Sequence, residues 1–442
     1  MRILILSPES WRKDNSFGNT YSSIFGKMED IEIAHIYVLD GNPDYEPNVK
    51  RYYKIPESQV MTSVFRFWKN FEGAGHEVTL ACETAGSQDS KRKNKKLSLY
   101  QRLLAFGKRK HWSSMFLARE LVWKMGKINY DGMMNFVNDF KPDIFFLPYN
   151  HIYYTNRLAH YIKQHTDVPM VLEMAMDHYS LKRVSWRPMF WIDRFVKRAM
   201  IRKLAKESEM IFVISQKLKT ELEKDLHIPC RILYKTPDEN RAFNPYKKHE
   251  GSLRFLFTGN IYANRWKSLA MLVKELREQK VGRLDIYTAT PISSSMNKAL
   301  NVDGVSELHA PVSQDEVIKL QNEADVLVHT EAFDKYNKYL VRCAISTKIM
   351  DYLSVGRCIL AIGPGDISSV EYLKDNDLAL IVSSDKELHN VIGQIKNDKE
   401  IVSKYAEKGR TYTQKQLNPK EIRRKLHDDL QNVIDNYNGL KQ

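Results

Sequence analysis

Short apolar runs alternate with longer mixed segments along most of this chain, and this alternation constrains its fold more than any other feature. In the first half the runs are RILILS, IEIAHIYVL, DIFFLPY, PMVLEM and MIFVIS. In the second half they are LRFLFTG, RLDIYTA, SELHAP, DVLVHTE, RCILAIG and LALIVSS. The segments between them, such as NRLAHYIKQH and KSLAMLVKELREQ, have helical character. Strands that alternate with helices predict an α/β fold with parallel sheets covered by helices.

A polar stretch separates the two series of runs. Residues 236–252, TPDENRAFNPYKKHEGS, contain two prolines and one glycine, a composition typical of a linker. We therefore predict one Rossmann-like domain over residues 1–240, a second over 250–415, and a terminal helix within 416–442. A cleft between two such domains is a favoured place for a ligand.

Several classes of protein are disfavoured by the composition. Apolar residues make up 43% of the 442 residues, which is enough for real cores and argues against wholesale disorder. No apolar run is long enough to span a membrane, and the start MRILILSPES is too short for a signal peptide and predicts a strand. The four cysteines are scattered without a CxxC spacing, so we expect no disulfide framework, no metal site and a reducing cytosol.

The net charge of +14 is concentrated in two segments. Residues 91–111 hold nine Lys or Arg and no acid, and residues 181–206 hold nine Lys or Arg and a single acid, Asp193. Tryptophan and phenylalanine interleave with the cations of the second segment, a pattern that predicts peripheral contact with an anionic membrane, on its cytoplasmic face. One alternative is a core-packing helix with a solvated basic face. Another is a polyanion- or nucleic-acid-binding protein, although no RNP, KH or helix-turn-helix signature is present.

Polar residues follow two strands of the second series. Gly259 ends the strand LRFLFTG and lets a ligand approach the backbone, and Arg265 with Lys267 then opens a helix. Two cations and free N–H groups at a helix start are suited to a diphosphate, the alternative being two solvated charges. Glu331 follows the strand DVLVHT and is a candidate catalytic acid, or else a solvated loop residue.

The stretch STKIMDYLSVGRCILAIGP predicts a short helix followed by a buried strand. Lys348 and Asp351 are three residues apart and share one helix face, close to Ser346 and Thr347 at its start. A lysine at this position suits a phosphate, and a carboxylate suits the two hydroxyls of a ribose. The alternative is an ordinary surface salt bridge.

The first half of the chain offers fewer candidates. Gly18 and Asn19 open a helix after the first strand, where a phosphate or sugar could dock, but the segment lacks GxGxxG. His178 follows the strand PMVLEM and is a candidate to contact the reacting sugar or the acceptor. The alternative is a histidine that is hydrogen-bonded locally in a loop.

The segments TGNIYANRWKS, VSQDEVIKLQNEADVLVHTE and STKIMDYLSVGRCILAIGP together resemble the nucleotide-binding half of GT-B glycosyltransferases, in particular the retaining family GT4. The resemblance covers about residues 253–385. It implies two Rossmann-like domains that face each other across a central cleft, with a C-terminal helix that crosses back to the first domain. It also implies a hexosyltransferase that uses a nucleotide-diphosphate sugar, either a UDP- or a GDP-sugar, without a metal and with retained configuration.

The same resemblance assigns roles to individual residues. It implies that Arg265 and Lys267 bind the diphosphate, that Asp351 holds the ribose, and that Lys348 faces the donor. The family's pair of glutamates, eight residues apart, is not intact, because Cys343 stands eight before Asp351. Glu331 is then the candidate for the first acid, and the segment FDKYNKYLVRCAI after it departs from the common pattern.

The family's reaction needs no dedicated base, because the leaving phosphate helps to deprotonate the acceptor. Many GT-B enzymes build glycolipids or surface polymers, so the predicted acceptor is a lipid-linked or cell-surface glycan precursor. Two alternatives stay open: a related protein that binds nucleotide sugars without transferring them, and a sugar-nucleotide epimerase, for which no acid/base pair is evident.

Overall fold

The computed structural model of the chain describes residues 1–65, 72–79, 113–237, 245–246 and 251–440. The predicted basic segment 91–111 lies outside these ranges, and so does most of the predicted linker. Within them the strands form two sheets, one of eight strands and one of six. The prediction of an α/β fold with two separate sheets is confirmed.

The first sheet has the strand order β4-β3-β2-β1-β5-β6-β7-β8. Its strands are β1 (Arg2–Ser7), β2 (Glu32–Tyr37), β3 (Val49–Lys54), β4 (His76–Val78), β5 (Ile144–Pro148), β6 (Met170–Met174), β7 (Met210–Val213) and β8 (Cys230–Ile232). Neighbouring strands pair in parallel, except that β4 runs antiparallel to β3. The parallel order requires crossover connections, which helices supply.

The described helices that accompany this sheet are α1 (Ser16–Phe25), α2 (Glu57–Phe65), α3 (Ser113–Met125), α4 (Tyr130–Phe140), α5 (Tyr153–His165), α6 (Pro188–Lys206) and α7 (Gln216–Leu226). Apolar strand residues are buried on both faces of the sheet. Leu4 and Leu172 belong to one core cluster, whereas Ile3 and Val171 belong to another. This two-sided burial explains why the central strands read as nearly continuous apolar runs.

The second sheet is parallel throughout, with the strand order β11-β10-β9-β12-β13-β14. Its strands are β9 (Leu253–Thr258), β10 (Gly282–Tyr287), β11 (Ser306–His309), β12 (Val326–Thr330), β13 (Cys358–Ile362) and β14 (Leu380–Val382). Its helices are α8 (Arg265–Gln279), α9 (Ser294–Leu300), α10 (Gln314–Glu323), α11 (Lys335–Val341), α12 (Thr347–Val355), α13 (Ser368–Asp375), α14 (Asp385–Asn397) and α15 (Glu400–Gln416).

The last helix, α16 (Pro419–Gly439), returns to the first domain. The side chain of Asn418 accepts a hydrogen bond from the Lys420 amide at 3.0 Å, and proline occupies the first helical position, where its missing N–H costs nothing. Leu426 and Leu430 are then buried in the same core cluster as Ile3 of β1. The helix therefore joins the end of the chain to its first strand, as the resemblance implied.

No helix in the described ranges is long and apolar enough to cross a membrane.

Candidate functional site

The carboxyl ends of β9, β12 and β13 lie side by side in the second sheet, and the polar residues that follow them meet there. Val326 of β12 pairs with Phe255 of β9 and with Cys358 of β13. The sheet hydrogen bonding continues one residue past the strands, because the Glu331 amide donates to Ile362 O at 2.8 Å. In open α/β sheets this edge is where ligands bind.

Arg265 and Glu331 form a two-point ion pair at this edge. Nε and Nη2 of Arg265 donate to the two carboxylate oxygens at 2.8 and 2.9 Å. The Glu331 side chain is only 4% exposed and that of Arg265 is 26% exposed. Ser268 Oγ adds a hydrogen bond to Glu331 O at 2.7 Å, which fixes the loop to helix α8. Glu331 therefore holds the guanidinium in place, with part of it still open to solvent.

The backbone before Arg265 adopts a conformation that few residues tolerate. Ala263 and Asn264 have φ values of 56° and 62°, in the left-handed region. Asn264 Nδ2 donates to Asp334 at 3.0 Å, which ties this turn to the segment after Glu331. The turn lets helix α8 start with its first residue, Arg265, directed at the strand ends.

Lys348 reaches the same edge from helix α12. Its ammonium lies 4.9 Å from the centre of the Phe257 ring and occupies the space that a side chain at Gly259 would fill. Gly259 has a φ of +127°, which favours glycine. To the described residues Lys348 makes no hydrogen bond and no ion pair. Burial, together with the nearby Arg265, lowers the pKa of Lys348 to about 8. The group is thus a cation with no bonded anion.

The first turn of α12 also offers the amides of Thr347 and Lys348, which have no hydrogen-bond acceptor among the described residues, whereas the Ile349 amide donates to Ser346 O at 3.0 Å. Ser346 stands at the N-cap but its side chain makes no capping hydrogen bond, and Thr347 begins the helix. The positive end of the helix dipole therefore lies beside the Lys348 ammonium, and both favour an anion.

Asp351, on the same helix, binds a lysine from the other domain. Lys235 Nζ lies 3.0 and 3.3 Å from the two Asp351 oxygens, and both side chains are largely buried, at 8% and 13% exposure. Lys235 follows β8, where the chain leaves the first domain. Sequence analysis missed this lysine, since nothing in YKTP indicates a partner 116 residues away.

His329 is a second residue that sequence analysis missed. It is buried on β12, and its Nε2 lies 3.8 Å from Glu331 Oε1 without a hydrogen-bond partner. Burial, and then the charges of Arg265 and Lys348, lower its pKa to about 3. The imidazole is therefore neutral at physiological pH, and its position inside an apparent strand gave no signal.

Lys267 does not join this cluster. Its side chain is exposed, with the ammonium 5.9 Å from the Trp266 ring, and it makes no hydrogen bond or ion pair within the described ranges. Residues two apart on a helix point in different directions, so Arg265 and Lys267 cannot both face the strand ends. Lys348, which the sequence also suggested for a phosphate, is the lysine that lies near Arg265.

Of the first-domain candidates, Gly18 and Asn19 lie in the first turn of α1. Asn15 caps this helix by accepting a hydrogen bond from the Gly18 amide at 2.7 Å. A Cβ at Gly18 would collide with the backbone of Arg12, so the glycine is required by a close approach within the domain itself.

His178 lies at the junction between the domains, half-buried. Its ring centre is 5.6 Å from that of Tyr149 and 6.2 Å from that of His151, and burial lowers its pKa to about 3. Another first-domain group is Glu173 at the end of β6, which accepts a hydrogen bond from Tyr21 at 2.8 Å. Burial raises the pKa of Glu173 to about 7.

Asp177, the residue before His178, binds Arg342 of the second domain. Arg342 Nη2 lies 2.8 Å from Asp177 and 2.6 Å from Glu221, and Ser215 Oγ donates to Cys343 O at 2.7 Å. Arg342 and Cys343 belong to the segment that departs from the family pattern, and Cys343 is buried in the core cluster of the first domain. The unusual segment therefore joins the two domains.

Two groups of possible metal ligands occur among the described residues, and neither is at the carboxyl ends of β9, β12 and β13. In the first, Asp177, Glu221 and Cys343, the carboxylates already bind Arg342. In the second, Asp285, Glu307 and His309, Arg283 bridges the two acids.

The chain as a whole superposes on several solved structures of low sequence identity. Sucrose-phosphate synthase from Thermosynechococcus elongatus matches with a TM-score of 0.64 and 10% identity, over 98% of this chain and 99% of that one. HepE from Anabaena in complex with UDP-glucose matches at 0.61 and 10%, over 98% and 100%. WaaG, a glycosyltransferase involved in lipopolysaccharide biosynthesis, matches at 0.57 and 11%, over 97% and 99%.

No family model matches the sequence, and no curated protein matches it. The structural matches nevertheless extend over nearly the full length of both chains. The fold is therefore GT-B, as the sequence predicted.

Proposed function

We propose that this chain is a retaining glycosyltransferase that takes a sugar from a nucleoside diphosphate sugar. One observation carries the proposal: the Lys348 ammonium, without a bonded anion among the described residues, lies beside Arg265 at the carboxyl ends of β9 and β12. Two neighbouring cations and the free amides of α12 match the charge and shape of a diphosphate. Two of the structural matches are HepE from Anabaena in complex with UDP and with UDP-glucose, which supports the same ligand class.

In this proposal Arg265 and Lys348 neutralise the leaving diphosphate. Retaining transfer passes through an oxocarbenium-like transition state, in which negative charge accumulates on the departing phosphate. Cations already placed at that position lower the barrier without any reorganisation. Two side-chain cations and a helix N-terminus also take the part that a divalent metal plays elsewhere, so the reaction is proposed to need no metal.

Asp351 is proposed to hold the ribose of the donor. Its carboxylate is at the same helix face as Lys348, one turn away, and it can accept hydrogen bonds from two adjacent hydroxyls. Lys235, 3.0 Å away, holds the carboxylate in place. Glu331 acts through Arg265 and is proposed as a positioning residue, and His178 is proposed to lie on the acceptor side of the cleft.

The test is a thermal-shift panel with UDP, GDP, ADP and CMP, each with and without Mg²⁺. A ligand at a hundred times its dissociation constant stabilises the fold by about 2.7 kcal/mol, which is easily measured. We expect a shift with UDP or GDP that does not depend on Mg²⁺, is clearly smaller in Lys348→Ala and is retained in Lys267→Ala. The absence of a shift with every nucleotide would overturn the proposed donor site.

A second candidate is a protein that binds nucleotide sugars without transferring them. Two observations favour it: Glu331 is engaged by Arg265, and Cys343, which stands where the family has an acid, is buried against the first domain. Release of free UDP or GDP from the cognate nucleotide sugar separates the two, because a non-transferring protein releases none. Retention is then read from the anomeric configuration of the product by NMR.

The acceptor class is proposed to be a lipid-linked or cell-surface glycan precursor, made on the cytoplasmic face of the membrane. The proposed acceptor class depends on whether the surface of helix α6 contacts a membrane.

A further inference from the structure

Helix α6 presents an apolar stripe to solvent. Phe195 is 54% exposed, Ile192 48%, Val196 40% and Met189 39%. These positions are three, four or seven residues apart, so they lie on one face of the helix. Trp186, immediately before the helix, is 87% exposed. A surface helix of a globular protein normally turns such residues toward the core, and here they point away from it.

The charged residues between them point inward instead. Asp193 accepts a hydrogen bond from Tyr153 and pairs with Lys197 at 2.8 Å, and both charged side chains are 11% exposed. Arg194 Nε donates to Ser180 O at 2.7 Å and is equally buried. Rotating the helix about its axis to bury the apolar stripe would expose Asp193, Arg194 and Lys197. It would also break their hydrogen bonds and ion pair, which is costly. The packing therefore fixes the apolar face outward.

The same exposed face is cationic and carries no acid from its own segment. Beyond Val196 the stripe continues through Ala199 to Lys203 and Lys206, all exposed. Asp193 is the only acid among residues 181–206, and it is buried. The exposed face thus combines aromatic and aliphatic side chains at one end with cations at the other.

We propose that this face of α6, with Trp186, docks on the surface of an anionic lipid bilayer. Apolar side chains on a helix enter the boundary between headgroups and acyl chains, and lysines beside them bind anionic headgroups. A second copy of this chain is less suited, since its own copy of the stripe would bring like cations together. Nucleic acid offers phosphates to the lysines but little to Ile192, Val196 and Met189.

The inference goes beyond sugar transfer and does not rest on it. Vesicle binding needs no nucleotide, and nucleotide binding needs no vesicle. A protein that binds UDP but not vesicles would refute this inference alone, and the reverse result would refute only the donor site.

The experiment measures co-sedimentation of the full chain with vesicles of phosphatidylglycerol and phosphatidylcholine, and with vesicles of phosphatidylcholine alone. The stripe variant is Ile192→Ser with Phe195→Ser. Its matched control is Ile292→Ser with Val312→Ser, which changes two apolar residues of the second domain at 39% and 38% exposure. We expect binding to the anionic vesicles only, a loss of more than about tenfold in the stripe variant, and no change in the control.

A charge variant, Lys203→Gln with Lys206→Gln, tests the headgroup contact. Each cation near an anionic surface changes the affinity by roughly fivefold, so the pair should weaken binding by about 25-fold at low salt and by less at high salt. Circular dichroism and melting temperature should be unchanged in every variant, because the mutated side chains are exposed.

Four results would overturn the inference. One is a wild-type chain that does not bind anionic vesicles, and another is binding that the stripe variant retains in full. The third is a concentration-dependent dimer that the stripe variant abolishes while vesicle binding is absent, which would assign the face to a second copy. Binding to a DNA oligonucleotide in preference to the vesicles counts against it in the same way.

Discussion

Two cations of the second domain, the half-buried Lys348 and the buried Arg342, are surrounded in opposite ways. Arg342 is bonded to the carboxylates of Asp177 and Glu221, and its own side chain is 7% exposed. Lys348 lies against a glycine and a phenylalanine ring without such a partner among the described residues. A charge removed from water is costly unless it is paired, so the carboxylates around Arg342 explain its position. In the proposed function a donor diphosphate supplies the anion that Lys348 lacks among the described residues.

The largest expected effect comes from removing the paired cation. Arg342→Met removes the hydrogen-bonded cation from Asp177, whose side chain is 3% exposed, and leaves it only the longer 3.5 Å ion pair with Arg194. Burial alone would raise the pKa of Asp177, but hydrogen bonds from Ser180 and Arg342 outweigh it and hold the pKa below its usual value. Breaking a buried pair in this way costs about 3–5 kcal/mol. We expect a loss of that size in the free energy of unfolding, measured in urea.

The control removes the whole cluster: Arg342→Met with Asp177→Asn and Glu221→Gln. In the triple variant no carboxylate is left short of its cation, and Arg194, which loses Asp177, keeps its hydrogen bond to Ser180 O, so the loss should be smaller than in the single variant. If the triple variant is less stable than the single one, the hydrogen bonds of Arg342 contribute more to stability than the desolvation of the charged groups costs. The contrast drawn between Arg342 and Lys348 would then be wrong.

Removing the unpaired cation should have the reverse outcome. In Lys348→Ala the affinity for UDP or GDP should fall by roughly 10- to 100-fold, because a hydrogen bond to a charged group contributes about 1.5–3 kcal/mol. The free energy of unfolding should stay the same or rise, since a buried ammonium without an anion is lost. Isothermal titration and urea unfolding measure the two quantities. The matched control is Lys267→Ala, an exposed lysine for which both should change little.

Most of the fold was predictable because the buried strands are nearly continuous apolar runs. Five of the six strands of the second sheet fall inside predicted segments, and β10 begins one residue before its segment. Three strands of the first sheet were not predicted. The strand β3, VKRYYK, contains three basic residues among its six, and β4 and β8 have only three residues each. Such segments have too few apolar residues to differ from a loop in sequence.

The site was predictable only where its residues belong to one local motif. Lys348 and Asp351 share a helix face, and the spacing of STKIMD shows this directly. Lys235 and His329 could not be found in that way, because their roles arise from contacts between distant segments. Whether Lys267 contributes to binding stays a prediction, but its position two residues after Arg265 turns it toward solvent.

The charge of Lys348 makes the comparison dependent on pH. Its pKa is about 8 in the ligand-free protein, below the 10.5 of an ordinary lysine. Between these values the unfolded chain binds a proton that the folded one has lost, so this group makes stability rise with pH from about 8 to 10.5. A diphosphate binds the protonated form. Its affinity should therefore fall above pH 8, by up to about tenfold for each pH unit.

The variant Lys348→Arg tests that pH dependence, since a guanidinium stays charged throughout. Titration calorimetry with UDP or GDP from pH 6.5 to 9.5 should give a falling affinity for the wild type and a nearly constant one for the variant. A parallel decline in both would place the titrating group elsewhere in the site or on the nucleotide.

The smallest expected effect belongs to Glu331, which lies between the paired and the unpaired cases. Its carboxylate fixes Arg265 through two bonds but also cancels part of its charge. In Glu331→Gln the guanidinium is less well oriented and more attractive to a diphosphate, so the net change in affinity should stay within about 1 kcal/mol.

A double-mutant cycle with Arg265→Ala then decides the role of Glu331. If Glu331 acts through Arg265, its substitution has no further effect on nucleotide affinity once the arginine is gone. An effect that persists in the absence of Arg265 would mean that Glu331 itself contacts the donor, as the sequence first suggested.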